Sequence, residues 1–417
     1  MGLSRRHFLF GATLAAVAEE KRPGLLDEIE RRACLYFYEQ AHPVTGLVLD
    51  RVRVDGLDNR RVASIAATGF GLSALCIAHE RGFLKKSVAE QRVERTLDFF
   101  ARRVFRQKGF FFHFLDCVSG ERAFKCELSS VDTAWLLCGV IHAREHFGGG
   151  SIRRMANEIL ERVDWPWMLA DGPTLCHGWT PEKGFLPYRW DEYSELLAMY
   201  LLAMGSPTHA IPASSWDAWH RPFGLSAKGE WFIESRAPLF VHQYSHAWLD
   251  FRGRHDGWTD YFENSRTATA RHRQFCLDLR DRFPWFGEDM WGITASDSRR
   301  GYVDWGGPGT PSTAHIDGTL VPCAAGGSIV FLPEECSTVL ENMVNRYGSR
   351  VWTRYGFVDA FHPQDGWYGP DVLGIDLGIM LLMAENLRTG SVWKTMMASN
   401  EAVRGFRAAG FYEPAAL

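Results

Sequence analysis

The chain has 417 residues and a formal net charge of −4 at pH 7, and 46% of its residues are hydrophobic. This slightly acidic balance argues against a polyanion such as nucleic acid as a partner, and the hydrophobic share suffices for a large folded core. The 16 tryptophans fit a sugar-binding protein and an aromatic core equally well, because indole rings stack on sugar faces and also fill interiors.

The N-terminus has the pattern of an export signal. Two arginines precede an apolar run, residues 8–18, which is too short to span a bilayer. The segment SRRHFL matches the twin-arginine form of such signals, and AVA at positions 16–18 has the small residues that signal peptidase accepts. The alternative is an amphipathic first helix, but the segment is apolar all round and charged only at its front. We therefore expect removal of residues 1–18 and an exported mature domain, residues 19–417, in the periplasm or medium without a membrane anchor.

Helical periodicity recurs along the rest of the chain, with apolar residues at i, i+3, i+4 and i+7 in segments that end at Gly or Pro. Strand alternation is hard to find. The predicted helices are residues 25–41, 63–82, 89–105, 129–147, 152–165, 192–205, 240–253, 261–281, 318–332, 333–348, 374–390 and 401–411.

A dozen helices in consecutive hairpins predict an all-α (α/α)6 toroid, with an inner and an outer ring and loops at one end around a central funnel. An open solenoid is the alternative, but no motif repeats between the hairpins. The chain lacks Pro- or Ser-rich linkers, so we expect a single domain.

The nine cysteines contain no C-x-x-C pair, and several lie in apolar helical runs, as Cys76 and Cys138 do. We expect buried free thiols rather than a disulfide framework. Reduced thiols also fit folding in the cytoplasm before twin-arginine export.

The stretch GFLPYRWDEYSELLAMYLLAM is the most informative one for function. We predict a helix whose first turn holds Asp191, Glu192 and Glu195, with Asp191 as its N-cap. Glu195 directly precedes an apolar run, and a half-buried carboxyl beside aromatic rings has a raised pKa, which suits a general acid for glycoside cleavage. A capping or salt-bridge role for Glu195 is the alternative.

Two further carboxylates stand alone before apolar helices. Asp132 follows two serines in SSVDTAWLLCG, where a serine is the expected cap. Asp376 lies between Gly374 and Gly378 in GIDLGIMLLM, and the glycines predict close approach of a ligand to the backbone. We therefore predict paired-carboxylate catalysis with Glu195, Asp376 and Asp132.

Aromatic and polar loop residues fit the recognition of sugar rings and hydroxyls. The predicted substrate-binding residues are Asp50, Arg51, His113, Trp179, Tyr188, Tyr193, His242, Gln243, Trp291 and Asp297. For each histidine the structural alternative stays open.

Other chemistries have weaker sequence support. His242 and His246 have i, i+4 spacing but lack a third ligand nearby, so we predict no metal and no cofactor. The chain has no G-x-S-x-G elbow, P-loop or dinucleotide fingerprint.

The same stretches resemble the bacterial glucoamylase-like domain proteins that include endo-β-1,2-glucanases of glycoside hydrolase family 144. The resembling segments are ACLYFYEQAHPVTGLVLDR, ASIAATGFGLSAL, SSVDTAWLLCGV, PYRWDEYSE, SPTHAIPASSWDAW, LFVHQYSHAWLDFRG, YFENSR, GITASD, GFVDAF and GIDLG. The resemblance implies an (α/α)6 barrel and metal-free, inverting hydrolysis of β-1,2-linked glucose polymers or sophorooligosaccharides.

By position, the resemblance matches Glu195 to the general acid, and Asp376 and Asp132 to carboxylates across the cleft. Glu192 departs from the family pattern, which has Gly there, and an extra carboxylate can narrow a subsite or alter chain-length preference. The alternatives are an exo-acting relative that releases sophorose, a transglycosylase that reshapes β-1,2-glucan, and a non-catalytic glucan-binding protein.

Overall fold

Every regular element longer than three residues is a helix in the part of the chain that the computed structural model describes, residues 24–412 apart from 57, 227, 228 and 230. The export signal predicted for residues 1–18 lies outside the described residues. The helices are α1 (Leu25–Glu39), α2 (Ile65–Glu80), α3 (Lys86–Arg102), α4 (Ser130–Phe147), α5 (Gly150–Glu161), α6 (Trp165–Leu169), α7 (Leu197–Met204), α8 (Ser214–Asp217), α9 (Tyr244–Trp248), α10 (Tyr261–Asp278), α11 (Pro322–Gly326), α12 (Pro333–Tyr347), α13 (Gly374–Arg388), α14 (Ser391–Met397) and α15 (Asn400–Ala408).

The helices form the two rings of an all-α (α/α)6 toroid, as predicted. Helices α2, α4, α7, α9, α11 and α13 form the inner ring, in which α4 packs against α2 and α7, α9 packs against α7, and α13 packs against α2, α9 and α11. All eight residues of α7 are buried, and α2 is buried from Ile65 to Ala78, which is why these sequences are apolar on every face. The outer helices α1, α3, α5, α10, α12 and α15 mix buried and charged faces.

Glycines allow the inner helices to approach closely. A Cβ atom at Gly69 of α2 would clash with the backbone of Trp135 in α4, and one at Gly139 would clash with Gly69. A Cβ atom at Gly378 of α13 would likewise strike the ring of Phe70 in α2. The prediction that Gly374 and Gly378 leave room for a ligand was therefore wrong, because Gly378 packs against Phe70 and a Cβ atom at Gly374 would lie 2.9 Å from the Cβ of Ala67.

Short strands were missed by the sequence analysis because two or three residues cannot show an alternating pattern. The strands are β1 (Arg51–Arg53), β2 (Val62–Ser64), β3 (Phe114–Asp116), β4 (Leu128–Ser129), β5 (Gly178–Thr180), β6 (Gly184–Phe185), β7 (Phe223–Leu225), β8 (Trp231–Ile233), β9 (Ser296–Ser298), β10 (Gly301–Val303), β11 (Trp352–Thr353), β12 (Gly356–Phe357), β13 (Phe361–His362), β14 (Trp367–Tyr368) and β15 (Asp371–Leu373).

These strands pair in small antiparallel sheets that anchor the starts of inner helices. Strands β2, β4 and β15 run directly into α2, α4 and α13, and they pair with β3, β5 and β1, respectively. Pairing of β1 with β15 aligns Arg51 with Leu373, so it places the Asp50–Arg51 loop beside the first turn of α13. The sheets thereby position the loops around the N-terminal ends of the inner helices.

The prediction of buried free thiols is confirmed. All nine cysteines are free, and eight of them are buried. None of the described helices combines the length and the apolar character needed to cross a membrane.

Three predicted helices are shorter than expected. Segment 192–205 becomes helical only at Leu197, and segment 318–332 is α-helical only in α11. Segment 240–253 divides into a 3-10 turn, Leu239–His242, and the short α9.

Candidate active site

The three predicted catalytic carboxylates lie together at the N-terminal ends of inner helices. Asp132 is in the first turn of α4, Asp376 is in the first turn of α13, and Glu195 is in the turn just before α7. Asp132 interacts electrostatically with Glu195, and Tyr244 of α9 interacts with both Glu195 and Asp376. The fold therefore brings three residues that are far apart in sequence into one site.

Glu195 lines a cleft of about 460 Å³, whose other walls include Trp190, Phe240, Tyr302 and Asp304. Its burial, reinforced by the nearby charge of Asp132, raises the pKa of the Glu195 carboxyl to about 7. A substantial fraction of this carboxyl is therefore protonated at neutral pH, which is the state that a general acid requires.

Neither alternative role for Glu195 fits its surroundings. No salt bridge to Glu195 exists among residues 24–412 as described, and the N-cap position of α7 is Leu196. The backbone is held instead by Ser245 of α9, whose hydroxyl donates to the Glu195 carbonyl at 3.0 Å and accepts from the N–H of Ala198 at 3.0 Å. The carboxyl is thus left available to the cleft.

The predicted N-cap role of Asp191 was wrong, because the segment ahead of Glu195 is tied to another loop. The His220 N–H donates to the Asp191 carbonyl at 2.7 Å, and the Tyr193 N–H donates to the His220 carbonyl at 2.9 Å. These two bonds pair the backbone around Glu192 with that of His220 in an extended conformation, so this segment does not form a helical turn. Glu192 is exposed at the cleft, with its carboxylate 3.9 Å from Nδ1 of His220.

Asp376 is paired with a second buried carboxyl, Asp359, which the sequence analysis did not single out. Oδ2 of Asp376 and Oδ1 of Asp359 are both buried and lack a hydrogen-bond donor among the described residues. The two side chains interact directly, and the other oxygen of Asp359 accepts from the Asp297 N–H at 2.7 Å. One proton between the two carboxyls satisfies this arrangement.

Burial and the neighbouring charge of Asp376 hold the pKa of Asp359 well above its usual range. Burial also raises the pKa of Asp376, but hydrogen bonds from Asp359 and Cys323 and the charge of Arg51 limit the rise to about 6. At neutral pH the shared proton therefore resides on Asp359, and Asp376 is ionised. This is the state that a general base requires.

Asp132 lies in a different electrostatic setting. The Ser129 hydroxyl donates to Oδ2 of Asp132 at 2.5 Å, and Nε2 of His113 lies 3.4 Å from Oδ1. Nδ1 of His113 lies 3.1 Å from the carboxylate of Glu127. Burial by itself lowers the pKa of His113, but the charges of Asp132 and Glu127 outweigh it and raise the pKa to about 9. The protonated His113 thus bridges two carboxylates.

This trio is also a geometrically possible metal site. Donor atoms of His113, Glu127 and Asp132 lie within 4.8 Å of one another. In this structure the trio is an ion-pair network, because His113 lies between the two carboxylates, 3.1 Å from Glu127 and 3.4 Å from Asp132.

Three predicted substrate-binding residues, Asp50, Arg51 and Asp297, form one cluster beside Asp376. The Arg51 guanidinium donates to Asp50 at 3.0 Å and to Asp297 at 2.7 Å. Its side chain is 28% exposed, so part of this cation faces solvent. The cluster can therefore offer polar contacts to a ligand, while the charge of Arg51 lowers the pKa of Asp376 and the charge of Asp297 raises it.

Two of the predicted aromatic contacts lie near or at the surface. Tyr188 is 67% exposed, with its ring centroid 6.0 Å from that of His177. Trp179 on β5 is half-buried and packs against Trp167 at 5.7 Å between ring centroids. Both rings keep surface that a sugar face can cover.

Four other predicted substrate-binding residues, Tyr193, His242, Gln243 and Trp291, have buried side chains in this structure. The Tyr193 hydroxyl pairs with Nδ1 of His242 at 3.1 Å, so each satisfies the other. The Gln243 amide donates to the Ser328 hydroxyl at 2.7 Å, inside the inner ring. Trp291 has no exposed surface. Tyr193 lines the cleft of Glu195, whereas the other three residues are not among the residues that line it.

A comparison with protein families identifies the fold. The family model described as "Putative glucoamylase" matches residues 187–400, slightly more than half of the chain. This range contains Glu195, Asp359 and Asp376.

Several known proteins are similar over most of the chain. The exo β-1,2-glucooligosaccharide sophorohydrolase of Parabacteroides distasonis is 26% identical over 92% of this chain, which spans only 57% of that protein's length. The crystal structure of an endo-β-1,2-glucanase from Chitinophaga pinensis, with sophorotriose and glucose, is 28% identical with a TM-score of 0.84, over 93% of this chain and 98% of that one. A "putative glucoamylase" structure from Bacteroides caccae is 31% identical with a TM-score of 0.84, over 93% of this chain and 99% of that one.

The family match and the long structural alignments agree with each other and with the residue pattern. On these grounds the chain belongs to the glucoamylase-like family of (α/α)6 proteins.

Proposed function

We propose that this chain is a glycoside hydrolase that cleaves β-1,2-glucan by inversion, with Glu195 as general acid and Asp376 as general base. The observation that carries the proposal is the Glu195 carboxyl in its cleft, where burial raises its pKa to about 7, with a second buried carboxylate of lower pKa, Asp376, near Tyr244, which interacts with both. The linkage is taken from the relatives, because a sophorohydrolase and an endo-β-1,2-glucanase are both similar to this chain.

In the proposed reaction, the glycosidic bond between the anomeric carbon and the linking oxygen breaks. The Glu195 carboxyl gives its proton to that oxygen, so that the departing chain leaves as an alcohol. Without this proton the leaving group would be an alkoxide, which is far less stable in water. A raised pKa therefore has a direct use at this position.

Water attacks the anomeric carbon from the opposite face, and Asp376 accepts the proton that this water loses. Inverting enzymes separate the two carboxyls by roughly 6.5–9.5 Å to leave room for the water. Asp359 holds its own proton toward Asp376 and thereby keeps the base ionised and oriented. Asp132 is the alternative base, but its bonds to Ser129 and His113 occupy both of its oxygens.

We propose endo action, with release of sophorose from a chain end as the second candidate. The exo alternative is favoured by Glu192, because this exposed carboxylate lines the cleft and can block one subsite. Early products distinguish the two. Endo cleavage of a linear glucan gives oligosaccharides of many lengths from the first minute, whereas the exo enzyme gives sophorose alone.

We also propose export through the twin-arginine route. The proposal rests on the SRRHFL segment and the AVA pattern at positions 16–18, and the free thiols fit folding before export. Fusion of residues 1–30 to a reporter that is active only outside the cytoplasm tests it. Replacement of both Arg5 and Arg6 by Lys should abolish export, and unchanged reporter activity would refute the twin-arginine assignment.

The proposed activity is tested by measuring reducing ends released from linear β-1,2-glucan, with β-1,3- and β-1,4-glucans as controls. We expect release from the β-1,2-linked polymer only. Release from a control polymer but not from β-1,2-glucan would overturn the substrate assignment. Binding of β-1,2-glucan without any release would favour the non-catalytic alternative.

A further inference from the structure

Four potential metal ligands lie on two neighbouring inner helices, far from the carboxylates. Cys76 and His79 are one turn apart on α2, and His142 and His146 are one turn apart on α4. The spacings are C-x2-H and H-x3-H, and residues three or four apart on a helix project from the same face. His146 is in the last turn of α4, whereas Asp132 is in its first, so about 20 Å separates the cluster from the catalytic end at ~1.5 Å per residue.

The side chains converge between the helices. One donor atom each from Cys76, His142 and His146 lies within 4.8 Å of the other two. Nδ1 of His79 is 2.9 Å from Nε2 of His146. Tetrahedral zinc, with Zn–N bonds of ~2.0–2.1 Å and a Zn–S bond of ~2.3 Å, needs its ligand atoms at separations of this order.

A second observation points to a missing partner in the same place. His142 is only 2% exposed, and its Nδ1 atom has no hydrogen-bond partner among the described residues. A buried nitrogen without a partner is costly, because it has given up its bonds to water.

We propose that this cluster is a structural zinc site formed by Cys76, His142 and His146, with His79 as the fourth ligand. A thiolate with imidazole ligands is typical of Zn²⁺, and four protein ligands leave no open position for substrate. On binding, the Cys76 thiol loses its proton to solvent and gives up its bond to the Leu72 carbonyl. The hydrogen bond between Nδ1 of His79 and Nε2 of His146 also breaks, and the proton between these two nitrogens moves to the other nitrogen of its ring, so that both nitrogens can bind the ion. His79 and His146 are half-buried, so an ion can enter from the surface.

The site would fasten α2 to α4 where both helices end. A cation there is favoured by the negative ends of both helix dipoles. The two helices already pack backbone to backbone through Gly69 and Gly139, so a metal bridge further along fixes the same pair at a second point. Its function would be the stability of the inner ring, independent of the proposed hydrolysis.

The test measures zinc in the purified full-length chain by mass spectrometry, after incubation with Zn²⁺ and removal of unbound ion. We expect about one zinc ion per chain to stay bound after the unbound ion is removed, because structural zinc sites bind the ion tightly. Cys76→Ser and His142→Ala should each lose it, whereas the control Cys138→Ser, which alters another buried thiol of α4, should keep it. Readdition of Zn²⁺ after chelation should raise Tm for the wild type and the control but not for the two ligand variants.

Substitution with Co²⁺ keeps the proposal testable if a ligand variant fails to fold. Cobalt bound to the Cys76 thiolate in the wild type should give a sulfur-to-metal charge-transfer band in the near ultraviolet, with the strong visible bands of tetrahedral cobalt. Wild-type protein that holds no stoichiometric zinc would overturn the proposal. So would cobalt without the charge-transfer band, or Cys76→Ser protein with undiminished zinc.

Discussion

Replacement of Glu195 by Gln removes the transferable proton and almost no volume, so it isolates the acid's contribution. Because the pKa of Glu195 is about 7, roughly nine-tenths of this carboxyl is protonated at pH 6 in the wild type. The amide cannot supply that proton. General acid catalysis contributes ~10²–10⁴-fold, so we expect kcat on β-1,2-glucan to fall by at least ~100-fold, or about 2.7 kcal/mol in the barrier.

The assay compares initial rates on linear β-1,2-glucan with those on a sophorooligosaccharide that carries a nitrophenyl leaving group. Nitrophenolate departs without protonation, so the variant should lose far less activity on this second substrate. Glu192→Gln is the matched control, because Glu192 is an exposed carboxylate of the same cleft, and its kcat should stay within about twofold of wild type. A near-wild-type kcat of Glu195→Gln on the glucan would refute the reasoning.

Three further predictions concern the base and its surroundings. Asp376→Asn should lower kcat far more than it raises KM, since it removes proton acceptance in the transition state. If Asp132→Asn shows this pattern and Asp376→Asn only weakens substrate binding, Asp132 is the general base and Asp376 a binding residue. Asp359→Ala removes the hydrogen-bond donor to Asp376, so it should move the acidic limb of the kcat profile to higher pH. Asp359→Asn keeps a donor and should restore most activity. Equal pH profiles for the two variants would exclude a positioning role for Asp359. A plot of wild-type kcat against pH should be a narrow bell. Activity rises as Asp376 deprotonates near pH 6 and falls as Glu195 deprotonates near pH 7. A broad plateau that extends above pH 8 would contradict these assignments.

The sequence pattern was enough to predict the helices whose formation depends mainly on residues within the same segment. Helices such as α1, α4, α12 and α13 were predicted within a few residues, because their apolar periodicity and terminators are in the sequence itself. The late start of α7 could not be predicted, since the competing bonds to His220 come from a loop that is remote in sequence. Tertiary contacts override helix propensity there.

In the candidate site, too, the sequence pattern indicates some residues, whereas others are brought together only by the folded chain. Asp376 and Glu195 stand out because a lone carboxylate before an apolar helix is unusual, and GFVDAF holds Asp359 in a similar setting. The pairing of Asp359 with Asp376 depends on the closure of the toroid, so no spacing rule indicates it. The burial of His242 and Gln243 was equally beyond the sequence pattern, because their hydrogen bonds to Tyr193 and Ser328 form only in the folded chain.

The most direct test of the central claim is the anomeric configuration of the first product from linear β-1,2-glucan. Proton NMR in the first minutes, before mutarotation, distinguishes the two anomers at the new reducing end. Attack by water opposite the leaving group, with Asp376 as base and Glu195 as acid, requires the α-anomer. A β-anomeric first product would contradict single displacement and would make one of the aspartates a nucleophile.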